Sequence, residues 1–317
     1  MNCLCCGKPI RSQASASNGW HKTCIRRFFG TSVMPEINIS NETLELLAAE
    51  TTNKGYTVPG VQKKLPLHLS VEEKARLTLV GYPSGYILKP QAQEYRALPE
   101  AEQMVMCMAD AVGISTVPHG LIQSDGIYAY ITKRVDRQGA PDQPMRMLAM
   151  EDFCQLTYRL TVDKYQSSYE RCAKVIDRWS SQKGLDMAEF FMRVVFSFLV
   201  GNSDMHLKNF SLIETAPGTQ TYKLSLAYDM LPVNVVSQDT EETALALNGK
   251  KTRLHRKDFM ALAIACHLPP AAAEKMIARL VGKVNVLIDI AATAQVPEYI
   301  RQRCIDLINT RVYVLME

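Results

Sequence analysis

The polar segment "GNSDMHLKNFSLI" (Gly201 to Ile213) lies between an apolar, helix-like stretch and a predicted strand. Within it, Asp204 precedes Asn209 by five residues. The same separation joins the catalytic-loop aspartate of protein kinases to the asparagine that binds magnesium. A second metal-binding carboxylate is then needed from the next hairpin, where Asp229 ends a predicted strand. Together these residues favour phosphoryl transfer, in which the protein mainly positions groups and neutralises charge.

A lysine for the phosphates of a nucleotide is expected on a strand before this segment. Lys89 ends the predicted strand "GYILK" and suits that role. Glu102, near the start of the following predicted helix, is its candidate partner, with Glu94 and Glu100 as alternatives. The loop "GYTVPGVQKK" offers backbone amides and Lys64 as phosphate contacts, although it lacks the GxGxxG pattern.

Each of these residues also has a plain structural explanation. Asp204 with Asn209 fits a capping and turn motif, and Asp229 fits a turn. Lys89 fits a solvated strand end. Their ordered appearance along one chain favours the catalytic interpretation, and His206 is expected to brace the loop through hydrogen bonds.

The first residues of the chain contain four of its nine cysteines. Cys3 and Cys6, followed by His21 and Cys24, form two closely spaced pairs of the thiolate and imidazole ligands that zinc prefers. Four protein ligands leave no open position, so the spacing predicts a structural zinc site, with Cys5 as a spare ligand. The alternative is a metal-free segment with several free thiols. The remaining cysteines are interpreted as small buried apolar residues.

Composition limits the class of protein. The net charge of +4, from 36 basic and 32 acidic residues among 317, is too small to indicate nucleic-acid binding. The longest apolar runs, such as Val194 to Val200, fall far short of the ~18–20 residues of a membrane span. The first ten residues have no apolar signal-peptide core. We therefore expect a cytoplasmic protein without a membrane or direct nucleic-acid partner.

The pattern of elements predicts an α+β fold with two lobes. Alternating apolar residues and turn signals predict a small, strand-rich lobe, and helical periodicity dominates after Asp136. The expected organisation is a zinc-binding N-terminal segment (residues 1–32), an N-lobe with phosphate loop and ATP lysine (33–135) and a helical C-lobe with the catalytic motifs (136–317).

The motif "GNSDMHLKNFSL", followed by "YDMLP" and preceded by "MEDFCQ" and "TKRVDR", resembles the HipA-like serine/threonine kinases of bacterial toxin–antitoxin modules. The resemblance covers roughly residues 56–267 and implies a bilobal protein-kinase-like fold that uses ATP and Mg²⁺. It implies catalytic roles for Asp204 and Lys208, magnesium binding by Asn209 and Asp229, and autophosphorylation of Thr57. The ATP contacts that it implies are Val58, Gly60, Gln62, Lys64, Lys89, Lys133, Val135, His206, Asn209 and Tyr228.

Two departures from the family pattern stand out. Barely fifty residues precede the phosphate loop, which is more similar to the short HipT type, whose missing N-terminal subdomain comes from a separate small subunit. The loop reads "TVPG", with Thr57 and Pro59 where relatives carry two serines. Lys133 also replaces an acidic hinge residue of the family.

The resemblance implies a kinase toxin that phosphorylates a translation component, an aminoacyl-tRNA synthetase, and a DNA-binding antitoxin as partner. Two alternatives stay open at this point. One is a small-molecule kinase of related fold, and the other is a non-catalytic binding or regulatory module.

Overall fold

The computed structural model describes residues 1–37, 63–70, 75–78, 84–92, 94–124, 126–139, 145–237 and 239–317. Contacts divide the chain into two compact units. The first contains residues 1–103, 117–146 and 293–295, and the second contains 104–116, 147–292 and 296–317. Among the described residues no helix is both long and apolar enough to cross a membrane.

The first unit is built on a five-stranded antiparallel sheet. Its strands are β3 (Leu65–Ser70), β4 (Arg76–Thr78), β5 (Tyr86–Pro90), β6 (His119–Ser124) and β7 (Ile127–Lys133), in the order β4-β3-β5-β7-β6. Strand β5 pairs along its whole length with β7, which places Lys89 opposite Tyr130. Because β5 has neighbours on both sides, Leu88 and Lys89 are buried.

The N-terminal segment belongs to the same unit. A hairpin of β1 (Ala16–Ser17) and β2 (Trp20–His21) leads directly into helix α1 (Lys22–Phe29). The helix ends at Gly30, whose φ of 76° suits a residue without a side chain. Trp20, Ile25 and Phe28 are almost fully buried, so the segment has an aromatic interior.

The second unit is mainly helical. Its helices are α3 (Phe153–Leu156), α4 (Tyr169–Trp179), α5 (Lys183–Val200), α6 (Val233–Val236), α7 (Arg256–Ala265), α8 (Pro270–Val281), α9 (Val284–Thr293) and α10 (Glu298–Met316), numbered after α2 (Leu98–Val112), which both units share. Strands β10 (Met150–Asp152), β11 (Ser211–Glu214) and β12 (Tyr222–Leu224) form an antiparallel sheet. The short strands β8 (Arg137–Gln138) and β9 (Arg146–Met147) precede them.

Helix α5 is the centre of this unit. Its apolar residues recur all round the helix, and Phe190, Phe191, Val194 and Val195 have no exposed surface. A helix that is apolar on every face is stable only inside a core. The polar segment of the sequence begins where α5 ends, at Gly201, so it is attached to the most buried helix end of the unit.

The predicted α+β fold, with strands early in the chain and helices late, is confirmed. The predicted division into residues 1–32, 33–135 and 136–317 stays a prediction. The loop with Thr57 lies outside the described residues.

We predict that Gly201→Ala destabilises the protein more than Gly218→Ala does. Both glycines have a left-handed φ, 77° and 75°, so both substitutions carry the backbone penalty of about 1–2 kcal/mol. A Cβ at Gly201 would also lie 3.0 Å from Leu307 Cδ2, whereas a Cβ at Gly218 meets nothing within 4 Å. Urea unfolding of the two variants measures the difference, and equal losses would show that packing at Gly201 contributes nothing.

Candidate active site

The loop after α5 is held by backbone and side-chain hydrogen bonds. Gly201 and Asn202 donate their N–H groups to carbonyl groups of the last turn of α5. Ser203 donates its hydroxyl to Asp239, at 2.8 Å. Because both ends of the loop leave buried elements, the backbone between them has little freedom.

Asp204 presents its carboxylate from this loop and is only half-buried. Its Oδ1 accepts a 2.5 Å hydrogen bond from the Tyr165 hydroxyl. Burial, and then this bond, raise the pKa of Tyr165 above its ordinary value of 10.0, so the phenol keeps its proton. Asp204 thus already accepts a hydrogen bond from a hydroxyl group, the contact that a general base makes with its substrate.

Asn209 is buried five residues later, in the 3₁₀ turn Leu207–Asn209. Its side-chain Nδ2 donates to the backbone carbonyl of Asp204, at 2.8 Å. This bond uses the nitrogen end of the amide and fixes the position of the oxygen end. Oxygen is the ligand atom that magnesium prefers, so the orientation of Asn209 suits metal binding.

Asp229 follows β12 and takes a positive φ of 56°. A left-handed backbone is uncommon outside glycine and is found more often at functional sites than elsewhere. The preceding Tyr228 donates its hydroxyl to the carbonyl of Lys208, at 3.0 Å, and shares a 2.5 Å bond with Ser211. Tyr228 therefore joins the segment that carries Asp229 to the loop that carries Asp204 and Asn209.

Lys208 forms an ion pair with Asp152, with Nζ 2.6 Å from Oδ2. The other oxygen of Asp152 caps helix α3 by accepting from the backbone N–H of Gln155. The Lys208 ammonium is thus held by a carboxylate from the "MEDFCQ" motif. It stands next to Asn209 in the sequence and stabilises the loop in which the predicted catalytic residues lie.

His206 is buried beneath the catalytic loop, 5% exposed, and meets the ring of Tyr165 edge-on with centroids 5.1 Å apart. Burial lowers the pKa of His206 below its ordinary 6.5, partly opposed by the nearby Asp204 carboxylate. The imidazole is therefore neutral at pH 7. The expected bracing by hydrogen bonds is not seen, because its Nδ1 has no hydrogen-bond partner among the described residues and its Nε2 lies 3.9 Å from Oδ1 of Asp204, so the ring is held by packing.

Lys89 forms a buried ion pair in the first unit. Its Nζ lies 2.5 Å from Oε1 of Glu102, and the two side chains are 4% and 0% exposed. Of the three acidic residues considered from the sequence, the structure thus pairs Glu102 with Lys89. The ammonium also lies 5.1 Å above the ring of Tyr130, a cation–π contact.

The remaining predicted nucleotide contacts are only partly described. Lys64 directly precedes β3, and Lys133 ends β7, where burial lowers the pKa of its ammonium. Val135 follows in the turn after β7. The other four predicted residues, Thr57, Val58, Gly60 and Gln62, lie outside the described residues.

Sequence reasoning missed two residues that touch the predicted catalytic loop, Tyr165 and Asp152. Tyr165 is 39 residues from Asp204 along the chain and belongs to no periodic pattern. It also missed Asp136, which pairs with both Arg134 and Arg137 directly after β7. Alternating charges in "KRVDR" were the available signal for that cluster.

The structure brings together the four predicted zinc ligands. One ligand atom from each of Cys3, Cys6, His21 and Cys24 lies within 4.8 Å of the others. Nδ1 of His21 is 3.5 Å from Sγ of Cys6 and 3.8 Å from Sγ of Cys24. Tetrahedral zinc bonds of about 2.3 Å to sulfur and 2.0 Å to nitrogen imply S···N edges of about 3.5 Å. The cluster is thus compatible with zinc.

The surroundings of this cluster also suit a metal. Nε2 of His21 lies 3.3 Å from the carbonyl of Pro9, the arrangement in which a ligating imidazole donates its second N–H to the protein. Hydrogen bonds, to Cys3 from Cys6 and to Cys24 from Cys5, lower the pKa of Cys3 to about 4 and that of Cys24 to about 6. The first of these bonds raises the pKa of the donor Cys6, which would have to lose its proton to zinc. Thiolates are the form in which cysteine binds metal.

Residues 56–287 match the model of the HipA-like C-terminal domain family, and the chain belongs to that family. The resemblance identified from the motifs around Asp204 and Asp229 is therefore confirmed. The matching segment includes every predicted catalytic and nucleotide-binding residue and excludes the cysteine–histidine cluster.

Three relatives are 27–33% identical to this chain over the aligned residues. Two Sinorhizobium fredii (strain NBRC 101917 / NGR234) proteins, named "Putative kinase Y4mE" and "Putative kinase Y4dM", are 28% and 33% identical over 64% and 62% of this chain. The chain spans about half the length of these two proteins, 48% and 49%. A Haemophilus influenzae (strain ATCC 51907 / DSM 11121 / KW20 / Rd) protein named "Putative kinase" is 27% identical over 76% of this chain and 71% of its own length.

Two solved structures share the fold. A chain from the complex of Shewanella oneidensis MR-1 HipA, HipB and operator DNA aligns with a TM-score of 0.69 and 17% identity, covering 89% of this chain and 74% of that one. The Helicobacter pylori proinflammatory kinase CtkA aligns with a TM-score of 0.54 and 14% identity, covering 82% and 91%. The fold is thus the HipA-like, kinase-like α+β fold.

We predict that Glu102→Ala lowers the free energy of unfolding by about 3–5 kcal/mol, because it leaves the Lys89 ammonium buried without its carboxylate. The double variant Lys89→Met/Glu102→Leu should recover most of this loss, because no charge stays buried. Urea unfolding provides the measurement. Asp177→Ala, which breaks an exposed ion pair with Lys183, is the control and should cost less than about 1 kcal/mol. A small loss in Glu102→Ala would contradict burial of the pair.

We predict that His206 makes the protein less stable in mild acid. Its pKa is lower in the folded chain than the ordinary 6.5, so below that pH the unfolded chain takes up a proton that the folded chain does not. Stability from the neutral imidazole is therefore present above about pH 6.5 and decreases as the pH falls towards the lower folded value. Urea midpoints of wild type and His206→Gln between pH 8 and pH 5 measure this, with the exposed His267 replaced in the same way as control. Parallel curves for wild type and His206→Gln would exclude the effect.

Proposed function

We propose that this protein is an ATP-dependent serine/threonine protein kinase. The observation that carries the proposal is the buried pair of Lys89, on a central strand, with Glu102, on the helix that follows. Active protein kinases need the same strand-lysine and helix-glutamate pair to hold the phosphates of ATP. A solvated strand-end lysine, the structural explanation of Lys89, is excluded by its burial.

The catalytic loop supports the same function. Asp204 holds a carboxylate that can accept the proton of an attacking hydroxyl group, and it does so from a loop fixed at both ends. Asn209 and Asp229 are the oxygen ligands available for Mg²⁺, and bound Mg²⁺ would neutralise charge on the phosphates. Lys208 contributes by holding the loop against Asp152.

Tyr165 occupies the place that a substrate hydroxyl would take. Its phenol donates to Asp204 Oδ1 at 2.5 Å, within the range expected for a nucleophile and its general base. A serine or threonine of the substrate would take the place of the Tyr165 hydroxyl on Oδ1 or donate to Oδ2 of the same carboxylate. Tyr165 then helps to keep the base oriented when no substrate is bound.

For the biological role we propose a growth-arresting toxin of a toxin–antitoxin module. Membership of the family and the shared fold with the HipA–HipB–operator complex support this role. The proposed substrate is an aminoacyl-tRNA synthetase, and the proposed partner is a DNA-binding antitoxin. We also propose a structural Zn²⁺ in the cysteine–histidine cluster and autophosphorylation of Thr57.

We predict that Asp204→Asn abolishes phosphate transfer while ATP binding and the fold are retained, because only the proton acceptor is lost. Asp229→Ala should instead weaken the binding of Mg·ATP itself. Transfer from radiolabelled ATP to proteins of a bacterial lysate gives the first measurement, and calorimetry with and without Mg²⁺ gives the second. Asp177→Asn, an exposed carboxylate on α4, is the matched control.

The two alternatives give different results in the same assay. Label on a small metabolite instead of protein would identify a small-molecule kinase. Equal activity of wild type and Asp204→Asn would reject the catalytic role of Asp204. No activity in either protein would favour the non-catalytic binding module. Mass spectrometry of the active protein should locate phosphate on Thr57, and phosphate elsewhere would reject that residue.

A further inference from the structure

The N-terminal segment is attached to the outer strand of the sheet. Leu121 of β6 donates its N–H to the carbonyl of Leu4, at 2.9 Å, and accepts a 2.7 Å hydrogen bond from the indole of Trp20. Gly120 allows this contact, because a Cβ there would lie 2.4 Å from the Trp20 ring. The segment thus contacts the sheet through a residue 101 positions away in the sequence.

The segment also packs against the strand that carries Lys89. Phe28 and Phe29 of α1 lie with ring centroids 5.7 Å and 5.5 Å from that of Tyr86, the first residue of β5. Trp20 packs edge-on against Phe28 at 5.2 Å. Lys89 stands three residues after Tyr86 on the same strand, so the aromatic contacts fix the start of the strand that positions it.

A second set of contacts reaches Glu102. The backbone carbonyl of Cys5 accepts a 2.8 Å hydrogen bond from Nε2 of Gln103, the residue next to Glu102 on α2. Oε1 of Gln103 is then left to accept from Nδ1 of His119, at 2.7 Å. The His119 ring stacks on Tyr130, which lies beneath the Lys89 ammonium. Polar contacts thus extend from the cysteine-rich turn to both members of the ion pair.

We propose that zinc bound by Cys3, Cys6, His21 and Cys24 is a brace for the Lys89–Glu102 pair, with Gln103 as the positioning residue that connects them. The metal closes the turn that contains Cys5 onto the start of α1, and so fixes both the Cys5 carbonyl and Trp20. Its influence on nucleotide binding rests on the proposed function, whereas the brace itself does not.

The small size of the N-terminal segment limits how much packing alone can stabilise it. Residues 1–32 have a small interior of their own, so the ordering of two turns must be offset by another interaction. Zinc ligation supplies folding free energy directly in segments of this size. Without zinc, the turn that contains Cys5 and the side chain of Trp20 are no longer held in place. Gln103 then loses the carbonyl acceptor that orients its amide.

The first experiment measures zinc and the environment of Trp20. The chain has two tryptophans, so Trp179→Phe leaves Trp20 as the only tryptophan in the full-length protein, and its fluorescence can be excited selectively. Protein purified without chelator should contain one zinc per chain, and chelation should shift Trp20 emission to longer wavelength as water reaches the ring. Added Zn²⁺ should reverse the shift, and added Mg²⁺ should not. Absence of zinc, or an emission spectrum unchanged by its removal, overturns the proposal.

The second experiment measures the ion pair without any nucleotide. Lys89 should resist acylation by an amine-reactive reagent in the zinc-bound protein and react severalfold faster after chelation, as mass spectrometry can show. Lys183, whose side chain is 54% exposed, should react equally in both forms. Cys172, fully buried in the second unit, should stay unreactive to alkylation, which distinguishes a loosened pair from global unfolding. Unchanged labelling of Lys89 overturns the brace.

Matched variants separate the ligands from their neighbours. Cys6→Ser should lose zinc and expose Lys89. Cys5→Ser should keep both, because the serine keeps the backbone carbonyl that Gln103 uses and has a hydroxyl that can donate to Cys24 in place of the thiol. Gln103→Leu should keep zinc and Trp20 emission but increase labelling of Lys89. Protection of Lys89 equal to wild type in Gln103→Leu overturns the role of Gln103. If neither wild type nor any variant binds Mg·ATP, the proposed kinase function is rejected. The brace is tested separately, because zinc content, Trp20 emission and Lys89 labelling are measured without nucleotide.

Discussion

The buried pair of Lys89 and Glu102 is the interaction on which the arrangement of the first unit depends. An ammonium and a carboxylate removed from water lose several kcal/mol of hydration each, and only close mutual contact offsets this loss. Both side chains must therefore arrive from elements whose positions are fixed. The central position of β5 in the sheet and the second turn of α2 meet that requirement, and neighbouring aromatic and amide groups hold them there.

The second unit orders the polar loop that carries Asp204 and Asn209 in a different way. Its loop begins at the buried end of α5, where Gly201 turns the chain without a side chain, and it continues into the interior strand β11. Within the loop, the amide of Asn209 bonds to the carbonyl of Asp204, and Lys208 bonds to Asp152. Polar residues that would otherwise prefer water are thus ordered before any ligand binds, which lowers the entropy that binding must overcome.

The sequence predicts the parts of the site that rest on short spacings. Asp204 and Asn209 are close together in the chain, and so are Cys3 and Cys6. For such pairs the residue types predict the chemistry, and the number of residues between them predicts that the side chains can meet. The choice of Glu102 over Glu94 or Glu100 required the structure, because it depends on the phase of a helix against a strand. Tyr165 and the contact of Trp20 with Leu121 were beyond prediction, since such contacts join residues 39 and 101 positions apart without a periodic signal.

The attachment of Trp20 and Leu4 to Leu121 has a consequence for solubility. Strand β6 is one of the two outer strands of the described sheet, and Leu121 directs its N–H and carbonyl away from β7. Unpaired groups on an outer strand are a template for pairing with other chains, and proteins cover them to prevent aggregation. Here the part of the chain that covers the outer strand is the cysteine-rich N-terminal segment. Oxidation that disrupts this segment would therefore open the N–H and carbonyl of Leu121 to pairing with other chains.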